Sequence, residues 1–561
     1  MPENSPLASQ IKIKVKGQDL QPDVVAKILS VTVDQNTHLP SMFTIRLRDT
    51  GLNLLNDNVF NLADLVEISA QKPDGEMVVL IKGEVVGLEP DYLEGMVSEL
   101  VVRGFDKSHR LLRQHNSVAY VNVKDSDIAE QIAGRIGLQT EITTTQIVYE
   151  HIYQNNQTDM EFLSVRARRI GYECFVSEDK LHFRKPDSDG AASANLTWGT
   201  ELLSFKPRMT LGEQVDEVIV KGWDVAKKEA IIGRSSSGNL APKLSQEQDG
   251  SKLAKEGFGD GKMVIVNQHI VSQEDANNLA AAYMNEISGR FVEAEGIASR
   301  RPDITAGKKI AIQALAERFN GDYLVTSALH SYTPAGFKTM FRVTGMRSGL
   351  IMEQFSPSPQ TNRISGLVPA IVTNTADPQR LGRVKLKFPT FTDEHESAWA
   401  RVMILGSGDK MGLCIIPEVG DEVLAAFVNG NFDYPIVLGG VYNGTTKLPE
   451  EVDQAKDGEM PQVRTWHSAS GHWLAMYDND KKKVEIVTAN NQSITLDDQA
   501  KKIIIKTENV TLTIEGSKMN IETGADISIK SGANLKLEAQ GNIDIKANGQ
   551  VTVKGAMINL N

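Results

Sequence analysis

The clearest pattern in the chain is an alternation of apolar and polar residues that repeats along residues 512–560. Doublets with one polar residue between two apolar ones begin at Leu512, and from Met519 their first members recur every eight residues, with a final step of seven. Such alternation gives each short strand one apolar face, and the glycines that punctuate the repeat permit sharp turns. The predicted core positions are Met519, Ile521, Ile527, Ile529, Leu535, Leu537, Ile543 and Ile545.

A repeated unit that cannot bury its own apolar face has to stack on copies of itself, so the pattern predicts a β-solenoid. Eight residues make one strand and one turn, which is too short to close a coil. Three successive units of one chain would form a triangular coil of about 24 residues, whereas three chains that each supply one side would form an intertwined prism. The first arrangement leaves strand edges open, and the second pairs every strand with a neighbouring chain, which slightly favours the second.

A second pattern lies in residues 364–446, where short amphipathic runs alternate with turn residues. Turns are predicted at 377–382, 417–421 and 429–431, and the runs between them have the alternation of half-buried strands. Five or so strands in about 80 residues predict a small barrel of the OB type. Two of the predicted runs lie within Ile364–Pro389, on either side of the turn at 377–382, and the others are Ala398–Ile404, Glu422–Val428 and Pro435–Val441.

The first 350 residues combine strands with three amphipathic helices. The first helix is predicted to be capped by Asp125 or Ser126 and to end before Gly137, the second runs from Asp159 to Ile170, and the third begins after Ser272. The strand at 218–224 echoes the sequence at 101–106. This echo favours two related β-domains that flank an α/β insert.

Composition and charge exclude several classes of function. The chain has 561 residues, 60 Lys+Arg against 72 Asp+Glu, and a formal net charge of -12, which argues against a nucleic-acid partner. Cys174 and Cys414 are too few for a disulfide framework and are predicted to be buried thiols. We find neither a signal peptide nor an apolar run long enough to span a membrane, so synthesis in the cytoplasm is expected.

Candidate catalytic and metal-binding groups have simpler structural interpretations. The run Asp393–Glu396 contains metal-capable side chains, but its polar loop setting favours a solvated turn. A nucleophile and base are conceivable at residues 467–472, yet no Gly-x-Ser-x-Gly turn supports them. We therefore predict no catalytic residue, no metal and no cofactor. The residues considered in this segment are His467, Ser468, Ser470 and His472.

Several motifs resemble those of the VgrG spike proteins. The barrel segment carries turn and strand residues similar to the OB-domain signature of that family, and Ser470-Gly471-His472 resembles its neck. Val101–Asp106 and Asn156–Glu173 resemble segments of the phage late control protein D, which is related to the same family. The OB motif residues are Asp377, Pro378, Gly382, Arg383, Trp399, Pro417, Gly420, Asp421, Gly439, Tyr442 and Asn443.

The resemblance implies a mainly β protein with an α+β hub. Residues 1–363 would form the hub, with two tube-like β-barrels at about 10–110 and 200–350 and an α/β insert at about 111–199. Residues 364–446 would form the OB-fold domain, 447–477 a neck or linker, and 478–561 a triple-stranded β-helix needle. In this family the C-terminal repeat is a trimeric β-helix, so the resemblance implies the intertwined arrangement.

The function implied is that of a structural, non-enzymatic spike and hub of a contractile injection machine. A homotrimer would cap a hexameric inner tube and its tube-initiator proteins, contact baseplate proteins and pierce a target membrane with the needle. A PAAR-repeat protein is expected to bind the tip, and the particle would be released from the cell or anchored to it. The predicted tip residues are Val551, Val553, Met557, Ile558 and Leu560.

Two alternative functions are a trimeric β-helix enzyme that degrades polysaccharides and an adhesin. The enzyme would need a carboxylate pair in an exposed groove, and the regular octads leave no insertion to build one. The adhesin would need a signal peptide or an anchor, and we find neither. The type of particle, its target cell and its cargo are not encoded in any pattern that we can read.

Overall fold

The computed structural model describes residues 10–94, 97–187, 190–224, 227, 229–246, 249–266, 268–346, 366–389, 395–454, 458 and 460–560. The chain forms two compact units, residues 1–441 and 442–561.

The N-terminal part of the first unit consists of long antiparallel strands with two single-turn helices. Their alternating residues bury one face, as the fully buried Phe43, Ile45 and Leu47 show. A 3-10 helix at Lys107–Leu112 follows. The elements are β1 (Ile11–Val15), β2 (Gln18–Asp19), α1 (Pro22–Val25), β3 (Ile28–Asn36), β4 (Met42–Arg48), α2 (Asn53–Asn56), β5 (Leu65–Gln71), β6 (Met77–Leu93) and β7 (Val97–Phe105).

The α/β insert follows as two small sheets with two helices. The second helix has a reciprocal cap, because the Thr158 hydroxyl accepts from the Glu161 amide and the Glu161 carboxylate accepts from the Thr158 amide. The first helix starts earlier than the sequence predicts, since Lys124 occupies the cap position. The elements are β8 (His115–Val123), α3 (Asp125–Arg135), β9 (Gln139–Ile142), β10 (Tyr149–Thr158), α4 (Asp159–Arg169), β11 (Glu173–Ser177) and β12 (Lys180–Arg184).

The next segment, residues 194–343, contains eleven strands and two helices among its described residues. A 3-10 helix lies at Glu317–Phe319. The elements are β13 (Ala194–Thr197), β14 (Leu202–Met209), β15 (Glu217–Asp224), β16 (Glu229–Ser235), β17 (Lys243–Leu244), α5 (Gly250–Phe258), β18 (Lys262–Ile265), α6 (Gln273–Gly289), β19 (Val292–Ser299), β20 (Lys309–Gln313), β21 (Gly321–Leu324), β22 (Ser327–Thr333) and β23 (Gly336–Val343).

One sheet joins the two β regions of the hub. Its eleven strands run in the order β14-β19-β23-β22-β3-β4-β7-β6-β5-β1-β2, so the junction is the antiparallel pair of β22 and β3. Strand β15 lies elsewhere, in the three-stranded sheet β16-β15-β18 against α6. The echo between 101–106 and 218–224 therefore does not mark equivalent strands, because β7 belongs to the shared sheet and β15 does not.

The last part of the first unit is a five-stranded sheet in the order β25-β24-β27-β28-β26. The ends of this order meet, because the backbones of Val384 and Ala400, next to β25 and β26, exchange hydrogen bonds of 2.9 and 2.7 Å. This contact closes the sheet into the predicted small barrel. The strands are β24 (Val368–Asn374), β25 (Lys385–Lys387), β26 (Arg401–Val402), β27 (Glu422–Phe427) and β28 (Pro435–Gly440), and a 3-10 turn spans Val428–Gly430.

The second unit contains a single antiparallel meander of seven strands in chain order. Its first two strands lie within residues 447–477, the segment predicted from the sequence to be a neck or linker. From 524 to 560 the described chain has no assigned strand. The elements are α7 (Glu450–Asp453), a 3-10 turn (Met460–Gln462), β29 (Val463–His467), β30 (Trp473–Tyr477), β31 (Lys483–Val487), β32 (Ser493–Asp497), β33 (Lys502–Lys506), β34 (Val510–Glu515) and β35 (Lys518–Thr523).

Candidate functional site

The most unusual surface of the molecule is one face of the seven-stranded meander, which we name the apolar face. Residues that pair directly across antiparallel strands share a face of the sheet, so the register defines two continuous rows. The first row is Trp466, Leu474, Ile486, Ile494, Ile505, Leu512 and Ile521. The second row is Met476, Val484, Leu496, Ile503, Ile514 and Met519.

Most side chains of the apolar face are open to solvent in a single chain. Ten of them are between 37% and 66% exposed. The opposite face carries polar groups, such as Lys502, whose ammonium lies 3.1 Å from the Glu515 carboxylate of the neighbouring strand. A contiguous apolar surface of this extent marks a place where another macromolecule binds. From the sequence, only the part of this face on β34 and β35 was predicted, because the apolar residues before Leu512 lack the octad spacing.

The repeat continues from residue 524 to 560 without strand pairing inside the chain. The predicted core residues of this segment and the predicted tip residues are all exposed, by between 49% and 90%. Their roles in a shared core and at a tip remain predictions. The residues are Ile527, Ile529, Leu535, Leu537, Ile543, Ile545, Val551, Val553, Met557, Ile558 and Leu560.

The first OB motif residues build a turn around a carboxylate. Asp377 accepts hydrogen bonds from the Leu381 amide at 2.8 Å and from the Arg383 guanidinium at 2.7 Å. The Arg383 hydrogen bond holds the pKa of Asp377 well below its usual range. Gly382 adopts a φ of +68°, which a glycine accepts without strain, and Pro378 lies within the same turn. This arrangement stabilises the barrel and offers no reactive group.

The remaining OB motif residues also have structural contacts. The Trp399 ring lies 5.8 Å from the Arg383 guanidinium carbon, and the Asp421 carboxylate accepts from the Glu418 amide at 2.9 Å in the turn that contains Pro417 and Gly420. Gly439 lies in β28. In the second unit, the Asn443 side chain accepts from the Thr445 and Thr446 amides, and Tyr442 is exposed.

A joint between the insert and the OB barrel was not predicted from the sequence. Tyr153 of β10 packs in the barrel core, with its ring centroid 4.5 Å from that of Phe432. The Tyr153 amide donates to the Asp433 carboxylate at 2.7 Å, and His151 contacts the Glu396 carbonyl oxygen at 3.1 Å. The joint therefore fixes the barrel on the insert through a shared core. The signal in the sequence that could have indicated the joint is the pair of aromatic residues Phe432 and Tyr434 beside a predicted turn.

Buried ion pairs connect the helices beside this joint to one another. Arg166 pairs with Asp125 and Arg169 with Asp275, each at 2.6 Å. The Tyr434 ring stacks on the His269 ring. Burial lowers the pKa of His269 to about 4, so this imidazole is neutral at pH 7.

The candidate chemical groups make structural contacts. Asp393 and Glu394 lie outside the described residues, and Glu396 pairs with Lys385 at 3.2 Å. The Ser468 hydroxyl accepts from the His472 amide and contacts the Ser470 hydroxyl.

The two histidines of the neck segment also make polar contacts. The His467 Nε2 lies 2.9 Å from the Glu451 carboxylate, and the His472 Nδ1 accepts from the Ala489 amide at 3.1 Å. In the described parts of the chain, no three His, Cys, Asp or Glu side chains form a metal-binding group.

The two cysteines differ in burial, so the prediction that both are buried thiols is wrong for Cys414. Cys174 is buried, and burial raises the pKa of its thiol to about 12. Cys414 is exposed. It lies in an apolar loop of the barrel, where the sequence resembles a core segment although Leu405 and Met411 of the same loop are also exposed. None of the described helices is long and apolar enough to cross a membrane.

Two family models match the chain. The Alg8 N-terminal domain matches residues 6–333, and the type VI secretion system/phage-baseplate injector OB domain matches residues 368–442.

Curated relatives cover parts of the chain. The type VI secretion system spike protein VgrG1b of Pseudomonas aeruginosa is 28% identical over 421 residues, which is 69% of this chain and 55% of that protein. The actin cross-linking toxin VgrG1 of Vibrio cholerae serotype O1 is 26% identical over 260 residues, which is 40% of this chain and 24% of that protein. The chain thus matches about a quarter of the length of the Vibrio protein.

Solved structures show the same fold. A chain in the lidless PdpA-VgrG complex has a TM-score of 0.52 at 10% identity, with 93% of this chain and 100% of that chain covered. A chain in the half-lidded Francisella PdpA-VgrG complex has a TM-score of 0.50 at 10% identity, with 92% and 88% covered.

The β-rich hub, the OB barrel and the spike relatives define a VgrG-like spike protein, which confirms the resemblance and the fold class predicted from the motifs. The β-helix of that fold class remains a prediction. The chain belongs to the family of the Alg8 N-terminal domain.

Proposed function

We propose that this protein is the non-enzymatic central spike and hub of a contractile secretion or injection machine, and that it acts as a homotrimer. The observation that carries the proposal is the apolar face of the meander. One apolar row crosses all seven strands of the sheet and a second crosses six, with Arg464 at its β29 position, and most of these apolar side chains are open to solvent in the single chain.

Three copies of such a sheet would bury their apolar faces against one another as the sides of a prism. The polar face, with pairs such as Lys502–Glu515, would then face water. The strand pairs of the proposed prism would change along its length, from pairs within one chain to pairs between chains. Strands pair within one chain up to Thr523, whereas the octads after it have backbone groups that need strands of other chains.

This arrangement suits a mechanical role. Strands shared among three chains resist load better than a free edge strand, which peels one hydrogen bond at a time. In the proposed machine the hub caps a hexameric inner tube and its initiator proteins and contacts baseplate proteins. The needle concentrates the force of contraction on a small area of the target membrane. Val551, Val553, Met557, Ile558 and Leu560 would contact a PAAR-repeat tip protein, since they are exposed apolar groups on the same repeat.

The joint between the insert and the barrel supports the same proposal. A load on the barrel has to pass to the hub without the two parts separating. The shared aromatic core of Tyr153 and Phe432 and the stacked rings of His269 and Tyr434 provide a stiff connection of this kind.

Sedimentation of the full-length chain tests the oligomeric state. We expect a single species with three times the monomer mass that persists at nanomolar concentration. A stable, folded monomer would overturn the proposal. Activity assays on peptidoglycan, polysaccharide and nucleotides are expected to show no turnover, and turnover that disappears in a His467→Ala or His472→Ala variant would refute the non-enzymatic role.

Variants of the octads test the proposed shared core of the needle. Ile529→Asp with Leu537→Asp would place charges in the prism and is expected to prevent its assembly. Ser528→Asp with Asn534→Asp is the matched control, because it adds the same two carboxylates within the same repeats at the alternate, outward positions. Equal assembly of the two variants would show that the apolar positions do not form a shared core.

A further inference from the structure

A cavity of about 410 Å³ opens where the insert, helix α6 and the OB barrel meet in the first unit. The insert contributes the segment 146–151, and the start of α6 contributes Val271, Ser272 and Glu274. The barrel contributes Ala398, Asp433 and Tyr434. None of the functions described above uses this cavity.

The lining is negatively charged. Glu150 and Glu274 are exposed, and no ion pair is seen for either among the described residues. Asp433 is a third carboxylate, and it accepts a hydrogen bond from a backbone amide. No lysine or arginine occurs among the described residues that line the cavity. The nearby Arg166 and Arg169 are already neutralised by Asp125 and Asp275.

Two polar atoms in the wall, one on each of two buried side chains, lack hydrogen-bond partners, and the nearest charged group to His151 Nδ1 is the Asp433 carboxylate at 3.8 Å. Tyr149 is 4% exposed and His151 is 8% exposed, and both line the cavity. The Tyr149 hydroxyl and the His151 Nδ1 have no hydrogen-bond partner in the described part of the chain. Buried polar groups without partners are uncommon in native proteins, so an additional polar group at this wall is the simplest explanation.

The charge of the lining and the two unpaired polar atoms identify the kind of group. A metal ion is not favoured, because the described residues include no group of three metal-ligating side chains. Carboxylates spread around a cavity match a planar guanidinium, which donates several hydrogen bonds at once.

We propose that this cavity binds an arginine side chain presented by a partner polypeptide. The partner is a protein segment with positive charge, as charge complementarity with Glu150, Glu274 and Asp433 requires. Because the cavity touches the insert, α6 and the barrel together, a bound arginine would bridge the joint. This binding site is independent of the trimeric needle.

The test uses the full-length protein and the probe acetyl-Gly-Arg-Gly-amide in a ligand-observed NMR titration. We expect saturable binding by the unmodified protein. The double variant Glu150→Gln with Glu274→Gln is expected to raise Kd by about tenfold or more, because hydrogen bonds to charged groups are lost. The matched control is Glu130→Gln with Glu256→Gln, two exposed glutamates on helices away from the cavity lining, and its Kd should stay unchanged.

A second probe in which citrulline replaces arginine separates charge from shape. Citrulline keeps the planar head group but has no positive charge, so it is expected not to saturate. Three results would each overturn the proposal: no saturable binding of the arginine probe, equal binding by the double variant, or equal binding of the citrulline probe. Sedimentation of the same samples reports the oligomeric state separately, so a failure here is distinguishable from a failure of the trimer.

Discussion

The OB barrel and the meander of the second unit are both antiparallel and both carry alternating apolar residues, yet only the barrel buries them within one chain. Val423, Ala425 and Val437 of the barrel are fully buried. Leu496 and Ile503, which pair across β32 and β33 of the meander, remain 44% and 40% exposed.

The difference lies in how the sheet ends. In the barrel, the backbones of Val384 and Ala400 connect the two ends of the strand order, so the apolar side becomes an interior. In the described part of the meander, β29 and β35 pair on one side only. Alternation therefore specifies which face of a sheet is apolar. Closure decides whether the same chain or another molecule covers that face.

The largest effect on assembly is expected when charge is placed on the apolar face. Leu496→Lys with Ile503→Lys is expected to abolish the trimer and leave the first unit folded, because two unpaired ammonium groups per chain would be buried in the prism. Sedimentation and thermal unfolding measure the two effects.

The control for this variant is Thr495→Lys with Thr513→Lys, which adds the same charge to the polar face of the same sheet, on β32 and β34. It is expected to remain trimeric. Loss of the trimer in both variants would mean that net charge, and not the apolar face, controls assembly.

A second prediction concerns a buried ion pair of the first unit, next to the closed barrel. Arg169→Ala leaves the Asp275 carboxylate buried without its partner and is expected to destabilise the first unit by about 3–5 kcal/mol. Arg234→Ala removes an ion pair of the same 2.6 Å length, between Arg234 and Glu217, whose arginine is 55% exposed. That change should cost about 1 kcal/mol or less. Equal losses in denaturant unfolding would contradict the assignment of the joint as a buried network.

A third prediction concerns pH. Because burial lowers the pKa of His269 to about 4, the unfolded chain, with a histidine pKa of about 6.5, binds the proton more readily than the folded chain. Acidification from pH 6.5 to 4 therefore favours unfolding through this residue, by about 3 kcal/mol. His269→Phe keeps a ring against Tyr434 and is expected to reduce the pH dependence of unfolding in this window. An unchanged pH profile would show that His269 does not titrate as described.

The sequence predicted the elements whose signals are local. The turn around Asp377 and the helices near Asp159 and Ser272 all depend on neighbours within a few residues. The glycine and capping residues that define them act through the backbone, so one sequence suffices to find them.

Long-range features were missed for a physical reason. The junction of β22 with β3 joins residues about three hundred positions apart, and the joint brings Tyr153 to Asp433. No local pattern encodes such pairs. The exposed Cys414 shows the reverse error, because an apolar segment predicts burial only when something covers it.

The smallest effect on stability and assembly is expected at Lys502, the residue next to Ile503, where the largest effect is expected. Lys502 neighbours Ile503 on β33 but lies on the polar face, where it pairs with Glu515 at 3.1 Å and both side chains are partly exposed. Lys502→Ala removes a solvent-screened ion pair and is expected to cost less than about 1 kcal/mol, with the trimer retained. Thermal unfolding and sedimentation of Lys502→Ala beside Ile503→Ala measure the contrast directly. If the lysine variant dissociated and the isoleucine variant did not, the assignment of the two faces would be reversed, because successive residues of one strand point to opposite sides of the sheet.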